Sequence, residues 1–219
     1  MAEGVFEPTA TSKILIRAVS QAIQKPGKLL DLGCGTGIVG RELALAGKVI
    51  LPVYFSDISR EAVEYARMSV GSCVARQGSL FEPWAGERFD VIVDDVSGIS
   101  EPLAKVSPWF NGVECGTCRD GTRLICQVLE QAPAHLEPGG RLFFPVLSLS
   151  DEKKILDSAR LRFKSVVMLA EQIWPLPPEL YNHLDLLQQL SKERCISLEW
   201  AFGKWCWFTQ IWEASNELD

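Results

Sequence analysis

The stretch LLDLGCGTGIVG, Leu29 to Gly40, decides the fold. Apart from Asp31 its first four residues are apolar, and Lys28 to Leu32 reads as a short buried strand. Glycines at 33, 35 and 37 then let the strand end turn tightly, let the backbone approach a ligand closely and leave amide donors at a helix N-terminus. The pattern predicts strand, glycine-rich turn and a helix through about Ala46, and such a turn binds a nucleotide-like molecule. Gly35, Gly37 and Gly40 also satisfy G-x-G-x-x-G, with Asp57 twenty residues after Gly37, so a dinucleotide site is a competing reading.

Outward from this turn the chain alternates apolar runs with longer amphipathic ones. Thr11 to Gln24 carries Ile14, Ile16, Ala18, Val19, Ala22 and Ile23 at helical spacing and is stopped by Pro26-Gly27. Ile50 to Phe55 is expected as the second strand, with Ser56-Asp57 at its carboxyl end and Ser59 as N-cap of a helix over 60–69. Further strands are expected at 74–76, 89–94 and, after Pro138-Gly139-Gly140, at 141–147, with a crossover helix over 123–135. This β-helix-β rhythm implies an α/β, doubly wound, mostly parallel Rossmann-like sheet covered on both faces. Beyond Ser150 a helix over 152–160 and a strand near 166–170 follow. Glu199 to Glu213 holds four of the seven tryptophans around Gly203-Lys204, which predicts an antiparallel hairpin closing the sheet edge. The expectation is a seven-stranded sheet with an antiparallel C-terminal edge strand. It forms one domain over 1–219: an arm and helix over 1–27, a core over 28–150, and a C-terminal part over 151–219 with an insert at about 174–194.

Composition narrows the function. A chain of 219 residues fits one elaborated domain, and 47% hydrophobic with 23% charged residues lies far from the composition of disorder. The longest apolar run, Val49 to Phe55, contains a proline and is too short to cross a bilayer, so no membrane partner is expected. No basic segment followed by a long apolar one opens the chain, so the cytoplasm is the expected compartment. Seven cysteines are an odd count that reads as thiols. Cys115 and Cys118 have metal-ligand spacing without a second pair, so no metal is expected. A net charge of −6 opposes a broad polyanion-binding face and favours protein or small-molecule substrates over nucleic acid.

The chain resembles the class I S-adenosylmethionine-dependent methyltransferases. The marks run in order: Asp31 two places before the first glycine, the Gly33, Gly35, Gly37 run, Asp57, Gly78-Ser79-Leu80-Phe81, Phe89-Asp90-Val91-Ile92, and Leu136-Glu137-Pro138-Gly139-Gly140. The resemblance implies S-adenosyl-L-methionine as cofactor. It makes Asp57 the acceptor of both ribose hydroxyls, Asp31 the acid near the amino end of the methionine portion, and Gly33, Cys34, Gly35 and Gly37 the backbone beneath it. Ser79 and Leu80 fall beside the adenine, with Ile58 either packed on its ring or plain core. Structural alternatives stand for two of these, since Asp57 and Asp31 are also suited to capping helices or loops.

Within that class, VFEPTATSKIL and GSLFEP…FDVIV resemble the small-domain enzymes that methylate glutamine side chains of release factors or amino groups of nucleobases. Those enzymes carry Asn or Asp, two prolines and an aromatic residue after the fourth strand. Asp94-Asp95-Val96-Ser97 stands here instead, without the rigid turn and the aromatic platform, so the substrate is not inherited from that subfamily. Asp94 and Asp95 are the candidate catalytic residues, orienting or deprotonating the acceptor, because they end a strand whose carboxyl end faces the ligand crevice. The competing role for each is capping the following turn. Phe6, Glu7 and Pro8 are expected to fold over the cofactor, and His183 is a candidate base if the insert lids the site. His135 is expected as a surface or capping residue. The tryptophan cluster is read as sheet-edge core, with Trp109-Phe110 as candidates to line an apolar substrate pocket. The expected activity is methyl transfer to nitrogen or oxygen of a protein side chain or small molecule. A catalytically inactive partner subunit of the same fold and a nucleobase N-methyltransferase are the alternatives.

Overall fold

The computed structural model of the protein describes residues 9–96, 98–110, 116 and 118–216. Eight strands form one sheet: β1 Leu29–Leu32, β2 Val53–Asp57, β3 Cys73–Gln77, β4 Phe89–Asp94, β5 Leu136–Leu147, β6 Ser165–Pro175, β7 Glu199–Ala201 and β8 Lys204–Ser215. Among the described residues seven α-helices accompany them: α1 Ala10–Ala22, α2 Ile38–Leu45, α3 Arg60–Ser69, α4 Glu101–Ala104, α5 Arg123–His135, α6 Glu152–Arg162 and α7 Leu184–Lys192. The strand order is β3-β2-β1-β4-β5-β8-β6, with β1 to β5 parallel and β8 antiparallel to β5, β6 and β7.

The period of two in the strands sorts the core into two layers. Leu29, Val53, Phe55, Val91, Val93 and Phe143 face α1, α2 and α3. Leu30, Leu32, Ile92, Leu142, Phe144 and Val146 face α5 and α6. A third core lies outside the main layers, where Leu176, Leu180, Leu187 and Leu190 of the insert pack with Ile99, Leu103, Phe110 and Trp207. The insert is therefore a packed wall beside the segment that follows β4.

Three boundaries differ from expectation. Strand β2 begins at Val53, since Pro52 has no N–H for a ladder, and it runs on through Asp57. Strand β5 begins at Leu136 and carries Pro138-Gly139-Gly140 inside it as an irregularity, where the register against β4 shifts between Phe89 and Val91. The antiparallel C-terminal strand is present but lies one place in from the border. β6 covers it along 206–215, so β6 is the edge, and the short eighth strand β7 continues the line of β5 on the other side. The hairpin turns at Phe202 and Gly203, both with positive φ, as a tight turn between twisted antiparallel strands requires.

Candidate active site

Strand β1 lies between β2 and β4, and Leu32, Ser56 and Asp94 stand in one row across the three strands. Here the strand order reverses direction, and the crevice outside the carboxyl ends of such strands is where this architecture binds ligands. The glycine turn enters it directly. Gly33 and Cys34 donate their N–H groups to the Ser56 carbonyl at 2.9 and 3.0 Å, folding the turn back over β2. Gly33 has φ +68°, and a Cβ on it would stand 2.6 Å from Cγ1 of Val96, so the loops after β1 and β4 touch at that residue. Gly40 serves packing instead, because a Cβ there would meet the Phe55 ring at 2.6 Å and lift α2 off the sheet.

Asp57 ties the crevice together. One carboxylate oxygen accepts the Gly35 N–H and the other the Ser59 N–H, each at 2.9 Å, so a single side chain fixes both loops and keeps further lone pairs on both oxygens. The Ser59 hydroxyl caps α3 by accepting the Ala62 N–H at 3.2 Å, as expected. Asp31 is fully buried. The N-cap of α2 is Gly37, which has no side chain, and Asp31 replaces it by accepting the Gly40 N–H at 2.8 Å. Its other oxygen is enclosed without a partner. Burial pushes the Asp31 carboxyl well above the usual range against the pull of the Gly40 N–H, and the charges of Asp95, Asp57 and Asp94 push it the same way.

Asp94 and Asp95 share this environment but differ in their partners. Asp94 is fully buried; one oxygen accepts the Val96 N–H at 3.3 Å and the other is enclosed and unpartnered. Burial raises its carboxyl to about 8, with the Asp95 charge adding to the rise. Asp95 is half-buried and accepts the Ser12 hydroxyl at 2.6 Å. Burial raises it to about 6 while the Ser12 hydrogen bond pulls it down. Between about pH 6 and 8 the two carboxyls therefore hold roughly one proton between them.

Ser12 was not singled out by sequence reasoning. Its signal was local: Thr9 caps α1 by accepting the Thr11 N–H at 3.2 Å, and the Ser12 hydroxyl three residues on accepts the Thr9 N–H at 3.4 Å. That capping box also hands the Ser12 proton to Asp95.

Beside Asp95 opens an apolar cleft of about 100 Å³, floored by Pro145 and Leu147 and walled by Val96, Trp109, Phe110 and Trp207. The Trp109 and Trp207 rings lie 5.4 Å apart, so Trp207 is core and cleft wall at the same time.

The remaining candidates are placed as follows. Ile58 is 73% exposed on the rim beside Asp57, which removes the plain-core alternative. Cys34 is buried, and burial with the charges of Asp31 and Asp57 holds its thiol protonated. The Ser79 N–H is taken by Glu82 at 3.2 Å, and Leu80 has φ +46°. His183 precedes α7 outside the cleft lining, and His135 is half-buried and stacked on Phe81 at 4.5 Å, not a surface residue. Phe6, Glu7, Pro8, Ser97, Cys115 and Thr117 lie outside the described residues. Cys118 bonds Asp120 at 2.9 Å, and no group of three metal-ligating side chains gathers among the described residues.

A doubly wound sheet with a glycine turn after β1, an acid ending β2 and carboxyls ending β4 is the architecture of the class I S-adenosylmethionine-dependent methyltransferases, and this chain has that fold. That class uses S-adenosylmethionine as its cofactor. More narrowly, residues 3–95 match the methyltransferase small domain family. The chain is 28% identical over 207 residues to the release factor glutamine methyltransferase of Thermosynechococcus vestitus, covering 85% of this chain and 64% of that protein. It is 31% identical over 133 residues to the ribosomal RNA small subunit methyltransferase C of Alcanivorax borkumensis, covering 60% of this chain and 36% of that one. A chain of the E. cuniculi Mtq2–Trm112 complex, described as responsible for methylation of the eRF1 translation termination factor, superposes with a TM-score of 0.63 at 16% identity, covering 98% and 99% of the two chains. The chain thus spans between about a third and two thirds of the length of these two curated relatives.

Proposed function

We propose that the protein transfers the methyl group of S-adenosylmethionine to a nitrogen or oxygen of a protein side chain or small molecule, with Asp95 receiving the acceptor's proton. The observation that carries the reading is the crevice itself: Asp57, Asp31 and Asp94 converge with the glycine turn, and two of their carboxyl oxygens are enclosed without partners. A buried unpaired polar group costs about 1–3 kcal/mol, and a cation carrying N–H donors relieves that cost. The residues fit the cofactor on that ground. Asp57 would hold the ribose hydroxyls, Asp31 and the Gly33 to Gly37 backbone the amino-acid portion, and Ile58 with the segment at Ser79 and Leu80 the adenine.

Bound S-adenosylmethionine supplies an electrophilic methyl on a sulfonium; the acceptor's lone pair forms the new bond as the S–C electron pair stays with sulfur. The chain's part is placement and proton management. Holding acceptor and methyl in line supplies about 7–11 kcal/mol of barrier lowering. A carboxylate at about 6 is ionised at neutral pH yet basic enough to take a proton from an amine or hydroxyl as it is alkylated. Asp94 keeps its proton in this range and limits the repulsion on Asp95.

Calorimetry tests the reading: S-adenosylhomocysteine binds in the micromolar range, NADH does not, and Asp57→Ala weakens the former. Binding of NADH alone would replace methyl transfer by a nicotinamide reading.

A further inference from the structure

We propose that the apolar cleft beside Asp95 seats the methyl acceptor and is shaped for one small aromatic ring system bearing a single N–H or O–H that faces Asp95. The proposal rests on the methyl-transfer reading and names its substrate class.

The cleft adjoins the glycine turn through one side chain. Val96 lines the cleft and also reaches to where a Cβ of Gly33 would stand, so a group seated there is one side chain away from the cofactor turn. Its lining is aromatic and aliphatic: Trp109, Phe110 and Trp207 together with Val96, Ile99 and Leu147. Phe110 and Trp207 are only 7% and 8% exposed, and both belong to the third core, which holds their rings in place. Two tilted indoles 5.4 Å apart offer ring faces and edges, the geometry in which a further aromatic ring packs.

Asp95, Thr9 and Thr11 supply the oxygen-bearing side chains of the cleft, Trp109 and Trp207 carry indole N–H groups, and among its described residues there is no Lys, Arg or His. A phosphate finds no cation there, and a base with several polar edges would leave most of them against apolar walls. One N–H or O–H, by contrast, meets the carboxylate. At about 100 Å³ the cleft accommodates a small ring system.

Gly98 gives a clean block. It lines the cleft with ordinary φ, and a Cβ on it would meet nothing nearer than the Val96 carbonyl at 3.9 Å and Leu147 Cδ1 at 4.0 Å. Gly98→Phe therefore adds a ring to the cleft without a backbone clash.

The experiment is calorimetry on protein saturated with S-adenosylhomocysteine. Indole and 2-naphthol serve as aromatic probes, with adenosine 5′-monophosphate and a tripeptide with a central glutamine as comparators. The aromatic probes are expected to bind at least tenfold tighter than either comparator and to lose at least tenfold in affinity in Gly98→Phe, whose affinity for S-adenosylhomocysteine stays within twofold of the parent. Aromatic probes that bind no better than the comparators, or equally well to Gly98→Phe, overturn the proposal while leaving methyl transfer standing; tighter binding of the tripeptide assigns the cleft to a protein side chain instead. Failure of S-adenosylhomocysteine itself to bind defeats the underlying reading, and that arm is read before any probe is added.

Discussion

Replacing Ser12 by alanine isolates the one hydrogen bond that separates Asp95 from its neighbour. The Ser12 hydroxyl donates to Asp95 at 2.6 Å and opposes the burial that raises this carboxyl to about 6. A hydrogen bond to a charged group contributes about 1.5–3 kcal/mol, and one pK unit corresponds to about 1.4 kcal/mol. Ser12→Ala is therefore expected to lift Asp95 by about one to two units, to about 7–8. At pH 6 the ionised fraction then falls about five- to fiftyfold, while above pH 9 the variant and the parent become indistinguishable. The assay needs no acceptor: protein with ¹³C-labelled aspartate carboxyls is titrated by NMR, with Asp95→Asn identifying the resonance. Once an acceptor is in hand, the acid limb of kcat moves by the same amount and the cofactor KM does not. The substitution also removes half of the capping box, so Ser12→Thr, which restores the hydroxyl, should return the titration toward that of the parent. A Ser12→Ala carboxyl that still titrates near 6, or that moves down, refutes the assignment of Ser12 as the residue positioning Asp95.

Other outcomes follow from the same coordinates. If Asp57 holds both ribose hydroxyls as proposed, Asp57→Ala removes two charge-assisted hydrogen bonds, and at about 1.5 kcal/mol or more each it should weaken S-adenosylhomocysteine binding by about a hundredfold or more in calorimetry. Gly33→Ala imposes a Cβ at φ +68° and 2.6 Å from Val96; a left-handed residue costs about 1–2 kcal/mol, so Tm should drop by roughly 2–8 °C. For Asp94 the folded carboxyl, at about 8, lies above its unfolded value, so its contribution to stability is complete below about pH 4 and is lost as pH rises to about 8. Denaturant titrations of the parent should therefore lose up to about 1.4 kcal/mol per pH unit over that window, and Asp94→Asn should flatten the slope.

The part of the fold governed by local pattern was legible from residues alone. Gly33, Gly35 and Gly37 next to an apolar run specify strand, turn and helix without help from distant residues, and Ser59 announces its own helix. Legibility ended where partners are far apart in the chain. That β8 enters between β5 and β6 depends on pairing across the whole C-terminal part, which no spacing encodes. The site divides in the same way. Asp57 and Asp31 declare themselves by position at the carboxyl ends of their strands, yet the second role of Asp31, capping an N-terminus whose own cap is Gly37, appears only when Gly40 is brought over it. Ser12 and Asp95 are separated by 83 residues, and Trp109 and Trp207 meet within the third core to which the insert contributes.

The carboxyl cluster also bears on why Asp95 is the residue proposed as base. In the crevice without a cation, Asp31, Asp57, Asp94 and Asp95 repel one another, which is part of why Asp31 and Asp94 titrate high. A bound sulfonium offsets one of these charges, and methyl transfer abolishes that positive charge when the thioether is left behind. In a buried crevice an uncompensated carboxylate is expensive. If Asp95 takes the acceptor's proton in the same event, one positive and one negative charge disappear together and the crevice holds the same net charge before and after. Asp57 does not line the apolar cleft: its oxygens accept the Gly35 and Ser59 amides, and its remaining lone pairs are the ones proposed to hold the ribose. Asp94 is enclosed and already carries a proton near neutral pH. Asp95 alone of the four both lines the apolar cleft and stands ionised at pH 7, held there by Ser12.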